Sequence, residues 1–123
     1  MNYFYKDDFL FKKKKTFNER LNESITIRNK YPDRIPIVCE RQGTNIPKID
    51  KTKYLVPKDL TMGQFLYVIR KRLTLDPSLG LFLFIGEQGL LINSAKLASE
   101  CYNCHKDKDG FLYIKYSGEN TFG

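Results

Sequence analysis

Three groups of residues in this chain have types and spacings that could do chemistry. The first is the run Tyr116-Ser117-Gly118-Glu119-Asn120-Thr121-Phe122-Gly123, which passes from an apolar strand into a polar tail with glycine last. With Phe122 as its one apolar anchor, such a tail is expected to project as an arm and leave the Gly123 carboxylate reachable. Glycine has no Cβ, so a narrow channel on a partner could enclose this end and present the carboxyl to a nucleotide or a thiol. The chemistry expected of Gly123 is therefore acyl transfer, with the chain as the acyl donor.

The second group, Cys101-Tyr102-Asn103-Cys104-His105, has the C-x-x-C-H spacing of covalent haem attachment and contains the sole histidine. As a zinc site it has no second C-x-x-C pair to complete a tetrahedron, so helix-end residues of a reduced protein are expected, with no metal or other cofactor. Asp107-Lys108-Asp109-Gly110 resembles part of a calcium loop, but its glycine comes early and the bidentate glutamate is missing. It reads as a turn. The third group is Lys12 to Lys15, four consecutive lysines suited to nucleic acid or lipid headgroups, or simply a solvated helix face. No glycine-rich phosphate loop occurs, and one histidine beside cysteines is poor material for a catalytic triad. Enzymatic activity is not expected.

These residues must be positioned by a single domain, the size that 123 residues allow. A hydrophobic content of 41% supports a folded core, and a formal charge of +7 favours acidic partners. No stretch reaches the length of a membrane span, the first residues lack signal-peptide order, and an odd count of three cysteines suits a reducing compartment. The expected address is the cytoplasm.

Two helix starts carry the T-x-x-[EQ] signature, Thr16-Phe17-Asn18-Glu19 and Thr61-Met62-Gly63-Gln64. After the first, Phe17, Leu21 and Ile25 recur every four residues, with Ser24 and Arg28 completing an inward face, and Tyr31-Pro32 ends the helix. After the second, Phe65, Val68, Ile69 and Leu73 form an apolar stripe flanked by Arg70, Lys71 and Arg72. Ile35 to Cys39 and Tyr54 to Val56 read as a hairpin, with Pro36 placed at an edge or at a strand start. Leu81 to Ile85, apolar on both faces, reads as a central strand, and Leu90 to Ile92 as a short return. Ser94 is expected to cap a third helix through about Cys104, with Leu97, Ala98 and Cys101 inward. Phe111 to Tyr116 is the last strand.

The order helix, strand, strand, helix, strand, short strand, helix, strand is α+β, that of a ubiquitin-like β-grasp with an N-terminal helical extension. The expected divisions are an extension over 1–8, a helical segment over 9–30, the β-grasp over 31–116 and a conjugation tail over 117–123.

The run Ile27-Arg28-Asn29-Lys30-Tyr31-Pro32-Asp33-Arg34-Ile35-Pro36-Ile37-Val38 resembles the ubiquitin-like autophagy modifiers of the GABARAP family. So do Lys53-Tyr54-Leu55-Val56-Pro57-Lys58-Asp59-Leu60-Thr61-Met62-Gly63-Gln64-Phe65, Ile69-Arg70-Lys71-Arg72, and Asp109-Gly110-Phe111-Leu112-Tyr113 with the tail to Gly123. The blocks follow the family's order from about Phe9 onward, whereas Met1 to Asp8 has no counterpart and Gly86 to His105 matches poorly.

The resemblance implies a carrier of its own C-terminus rather than a catalyst. Gly123 would be activated by an adenylating (E1-like) enzyme, passed through a conjugating (E2-like) enzyme and joined to phosphatidylethanolamine, with a deconjugating cysteine protease as a further partner. The chain, monomeric before lipidation, would then be anchored on autophagosomes or related vesicles. The resemblance further implies strand-like binding of receptors that carry an acidic aromatic-x-x-aliphatic motif. The aromatic pocket would comprise Glu23, Ile27, Pro36, Val38, Lys53, Leu55 and Phe111. The aliphatic pocket would comprise Tyr54, Val56, Pro57, Leu60, Phe65 and Val68, with Arg34, Lys51, Lys53, Arg70 and Arg72 attracting the acidic flank. Alternative readings are a basic nucleic-acid-binding module, a metal or haem carrier, and a modifier attached to protein lysines.

Overall fold

The computed structural model of the chain describes residues 8–86 and 88–119. Its elements are α1 (Leu10–Lys14), α2 (Phe17–Lys30), β1 (Arg34–Arg41), β2 (Lys53–Pro57), α3 (Met62–Leu73), β3 (Phe82–Ile85), β4 (Leu90–Leu91), α4 (Ala98–His105) and β5 (Leu112–Ser117). Both expected helix starts are capping boxes. The Thr16 hydroxyl accepts from the Glu19 N–H at 3.2 Å while the Glu19 carboxylate accepts from the Thr16 N–H at 2.9 Å, and Thr61 and Gln64 repeat the exchange at 3.1 and 2.9 Å.

The strands form one five-stranded sheet in the order β2-β1-β5-β3-β4. The β1–β5 pair is parallel, with Ile37 opposite Leu112, and the other pairs are antiparallel. Period-two alternation sorts the side chains. Ile35, Ile37, Cys39, Tyr54, Val56, Leu112, Ile114 and Tyr116 face Met62, Phe65 and Ile69 of α3, together with Ala98, Cys101 and Tyr102 of α4. Val38 and Tyr113 face the opposite way, where they and Phe111 pack with Phe9 and Phe11 of the N-terminal segment. The molecule is thus a β-grasp sheet carrying α3 and α4 on one side and α1 and α2 on the other.

Pro36 sits where its missing N–H is harmless. The Cys39 N–H donates to the Thr52 carbonyl at 2.7 Å, so alternation turns the Pro36 nitrogen away from β2, toward β5. There the β5 ladder begins one residue later, at Ile37.

Several expectations need correction. In α2 the buried positions are Arg20 and Ser24, whereas Phe17 and Ile25 are 43% and 48% exposed. A buried carboxylate, described below, draws the polar residues inward. In α3, Met62, Phe65 and Ile69 are buried and Leu73, in the last turn, is half-buried on the same face, but Val68 is exposed because it lies about 100° around the helix from Ile69. As expected, β3 is an interior strand buried on both faces, lying between the middle strand β5 and the two-residue β4. Ser94 does not start the fourth helix. Residues 93–96 form a turn, Leu97 bridges to Thr61, and α4 begins at Ala98.

Candidate functional site

Strand β2 is an edge of the sheet, so one row of its backbone groups has no strand partner. Because Thr52 accepts from Cys39, alternation points the amides of Tyr54 and Val56 toward β1. Lys53 and Leu55 therefore turn their N–H and C=O groups outward. An incoming extended segment would meet the donors and acceptors of these two residues, and Pro57 would stop the ladder because it has no N–H to offer.

The side chains of β2 diverge from this backbone edge. Lys53 and Leu55 lie on the α2 side, where Lys53 Nζ pairs with Glu23 Oε2 at 2.9 Å and stands 5.3 Å from the centre of the Phe11 ring. Lys15 reaches the other Glu23 oxygen at 3.3 Å, so one carboxylate holds two ammonium groups. Half-buried Ile27 and Leu55 complete this surface, and behind it Pro36, Val38 and Phe111 are buried. On the α3 side Tyr54 and Val56 are buried; the Tyr54 ring meets Phe65 edge-on at 5.5 Å, and its hydroxyl donates to the Lys51 carbonyl at 2.7 Å. Phe65 is fully buried, while Val68 and Pro57 are exposed and Leu60 is half-buried. Access on this side thus runs over Pro57, Leu60 and Val68, with Phe65 as the floor.

The cations spread around the edge. Lys51 stands over the Tyr54 ring at 5.1 Å, and Arg34 is exposed at the far end of β1. Arg72 holds Asp50 through two hydrogen bonds of 2.9 and 3.3 Å, and this pairing lowers the Asp50 carboxyl below the usual range. Arg70 instead donates to the carbonyls of Asp76 and Leu79, which ties down the turn after α3. Burial pushes up the Cys101 thiol, Cys104 is exposed, and among the described residues no cluster of His, Cys, Asp and Glu is arranged to hold a metal ion. Gly123 lies outside the described residues.

The residues that position α2 beside this edge were missed by sequence reasoning. Asp109, fully buried, accepts from Arg20 Nη1 and from the Tyr113 hydroxyl, each at 2.5 Å, and from the Phe111 N–H at 2.9 Å. The Ser24 hydroxyl donates to the Asp109 carbonyl. Gly110 follows at φ +90°, and a Cβ there would collide with Ser24. Burial raises the Tyr113 hydroxyl, and the Asp109 carboxylate raises it further. Glu40 caps α1 from the sheet, accepting from the N–H groups of Leu10 at 2.8 Å and Phe11 at 3.1 Å. The one available signal was the D-x-D-G turn, whose second aspartate has no solvent role here.

The family described as autophagy protein Atg8, ubiquitin like, matches residues 19–123. The chain is similar to Autophagy-related protein 8 of Schizosaccharomyces pombe, 58% identical over 120 residues that cover 97% of this chain and 93% of the relative. It is also similar to Autophagy-related protein 8 of Mycosarcoma maydis, 57% identical over 114 residues, with 92% and 95% covered. Among solved structures, that of Trypanosoma brucei ATG8 aligns with a TM-score of 0.85 at 42% identity, covering 95% of this chain and 100% of that one.

Proposed function

Because the chain belongs to the Atg8 family of ubiquitin-like autophagy proteins, we propose that it is conjugated through Gly123 to phosphatidylethanolamine on autophagic membranes and recruits receptors along the β2 edge. Members of this family are modifiers, not enzymes, and neither a nucleic-acid module nor a metal carrier is favoured. The narrower GABARAP-type assignment remains our reading of the Ile27 to Val38 and Lys53 to Phe65 runs.

The observation that carries the receptor reading is the outward backbone of Lys53 and Leu55 set between two differently lined surfaces. In an extended peptide, residues three apart point to opposite faces. An aromatic-x-x-aliphatic segment paired along β2 would therefore place its aromatic ring on the Lys53, Leu55 and Ile27 side and its aliphatic residue toward Pro57, Leu60 and Val68. Acidic flanks would meet Lys51, Lys53 and Arg34, which raises encounter rate and discrimination. For the membrane step, the family match runs through residue 123, and among the described residues no helix is long and apolar enough to cross a membrane. Two acyl chains of a conjugated lipid would supply a firm anchor. E1-like and E2-like enzymes and a deconjugating cysteine protease are the proposed partners, and the cytoplasm followed by autophagosomes or related vesicles is the proposed location.

Intact mass and membrane partition of the chain from cells test the first half. Deleting Gly123 should abolish both the mass of the phosphatidylethanolamine adduct and membrane recovery; equal recovery would reject conjugation there, and a protein-sized adduct would move the acceptor to lysine. Calorimetric titration of an acidic aromatic-x-x-aliphatic peptide tests the second half. Replacing Lys53 and Leu55 by Ala together should cost about 1 to 3 kcal/mol of binding, and unchanged affinity in the folded double variant would place the site elsewhere.

A further inference from the structure

We propose that the flank of α2 carrying Phe17, Leu21 and Ile25 is a second docking surface, for an acidic peptide segment with apolar side chains, separate from the β2 edge. The inward face of α2 is fixed by Arg20 and Ser24 at Asp109. Glu23 marks the flank toward β2, through its pairing with Lys53. Steps of four place Phe17, Leu21 and Ile25 on the opposite flank, a stripe about 12 Å long. Arg28 continues it and stands 4.9 Å from the centre of the Tyr102 ring on α4. Phe17 and Ile25 remain 43% and 48% exposed although a core lies one helix radius away. Nothing in the N-terminal cluster requires them, since Phe9 and Phe11 already fill it.

The rim identifies the occupant. Phe17 borders a cleft of about 500 Å³ shared with Lys12, His105, Lys106 and Lys108. Among the described residues of that lining the one carboxylate, Asp107, is held by Lys12 at 2.7 Å. The surface is therefore apolar along its length and basic at its margin, complementary to a segment with both apolar and acidic residues. A second copy of the chain fits poorly. Each copy carries a net charge of +7, and three side chains fall far short of the roughly 800 Å² per partner that stable association uses. A bilayer also fits poorly, because a flat surface cannot follow a concave cleft between α2 and the turn after α4. The proposal does not depend on conjugation at Gly123.

The test uses a phage-displayed library of random peptides, panned on the full chain with Lys53→Ala and Leu55→Ala and counter-selected on the same chain with Leu21→Lys and Ile25→Lys added. Ile25 is exposed and Leu21 half-buried, so thermal melting checks that each variant is folded. Enriched peptides should share acidic and apolar residues and should shift the amide resonances of α2 and of Lys106 to Lys108. They should lose at least about tenfold in affinity on Leu21→Lys with Ile25→Lys, and also on Lys106→Glu with Lys108→Glu. They should bind the chain with an intact β2 edge while an aromatic-x-x-aliphatic peptide is bound. Failure to enrich stripe-dependent peptides, or shifts centred on Lys53 and Leu55, would overturn the proposal. So would stripe-dependent binding to phosphatidylserine-containing vesicles without peptide binding, or a dimer in sedimentation that the Lys substitutions dissolve.

Discussion

Toward α3 the strands present Ile35, Ile37, Cys39, Leu112 and Ile114, whereas toward α1 and α2 the same two strands present Val38, Glu40, Tyr113 and Lys115. The first interface is apolar packing, which is non-directional and tolerant of small shifts. The second combines an aromatic cluster with charged groups that work only when paired. Phe9 meets Tyr113 edge-on at 4.8 Å, Phe11 meets Phe111 at 5.1 Å, and Lys115 donates to the Asp8 carbonyl at 2.5 Å beside them. No buried side-chain nitrogen or oxygen among the described residues lacks a partner. Area thus holds α3 and connectivity holds the N-terminal helices, so each side should fail in its own way.

Phe65→Ala should be the most damaging change on the apolar side, about 3 to 5 kcal/mol, lowering the whole denaturation midpoint without selective loss at either side of the sheet. Asp109→Ala should cost up to a similar amount, about 3 to 5 kcal/mol, by leaving the Arg20 guanidinium and the Tyr113 hydroxyl buried and unpaired. Its hydrogen-exchange signature should differ: amides of α2 should exchange fast while those of β1, β5 and α3 stay protected. Equal loss of protection everywhere would erase the proposed contrast. Replacing the group together, with Arg20→Met, Asp109→Leu and Tyr113→Phe, should recover part of the loss, which a purely geometric role for Asp109 would not allow.

Glu40→Ala should cost about 1 kcal/mol, the scale of a lost helix cap, confined to residues 10–14 in exchange. Acid should act on the same side. Burial raises the Asp107 carboxyl, but Lys12 and the Asp109 N–H outweigh it and hold the group below its ordinary value. The folded value lies below the unfolded one, so this pairing contributes fully above about pH 4 and is lost as pH falls through the lower folded value. The effect should be under about 1 kcal/mol and absent in Lys12→Met, as read from α1 resonances across an acid titration.

The locally determined features were the legible ones. The capping boxes at Thr16 and Thr61, the hairpin of β1 and β2, the alternation in β5 and the β-grasp order all follow from local rules that need no distant partner. The candidate edge was legible only through resemblance, since Lys53 and Leu55 carry no local mark of lying on an open strand. The inward face of α2 was misread because periodicity assigns apolar residues to the core, whereas Asp109, 89 residues away from Arg20, selects the polar ones. Ser94 misled for a related reason: a good cap residue precedes the helix, but the bridge from Thr61 to Leu97 sets where α4 begins.

The parallel pairing of β1 with β5 has a consequence for biosynthesis. Phe111 and Tyr113, against which Phe9 and Phe11 pack, and Asp109, which receives Arg20, are among the last residues of the described domain to be made. At roughly 5 to 20 residues per second, a nascent chain would carry Arg20 without its partner for about 4 to 18 seconds. Throughout that interval Phe9 and Phe11 have no completed sheet to cover them, so the growing polypeptide presents both rings to whatever waits at the ribosome exit. Chaperone contact should therefore be concentrated on the earliest-made segment and should end abruptly once β5 has emerged.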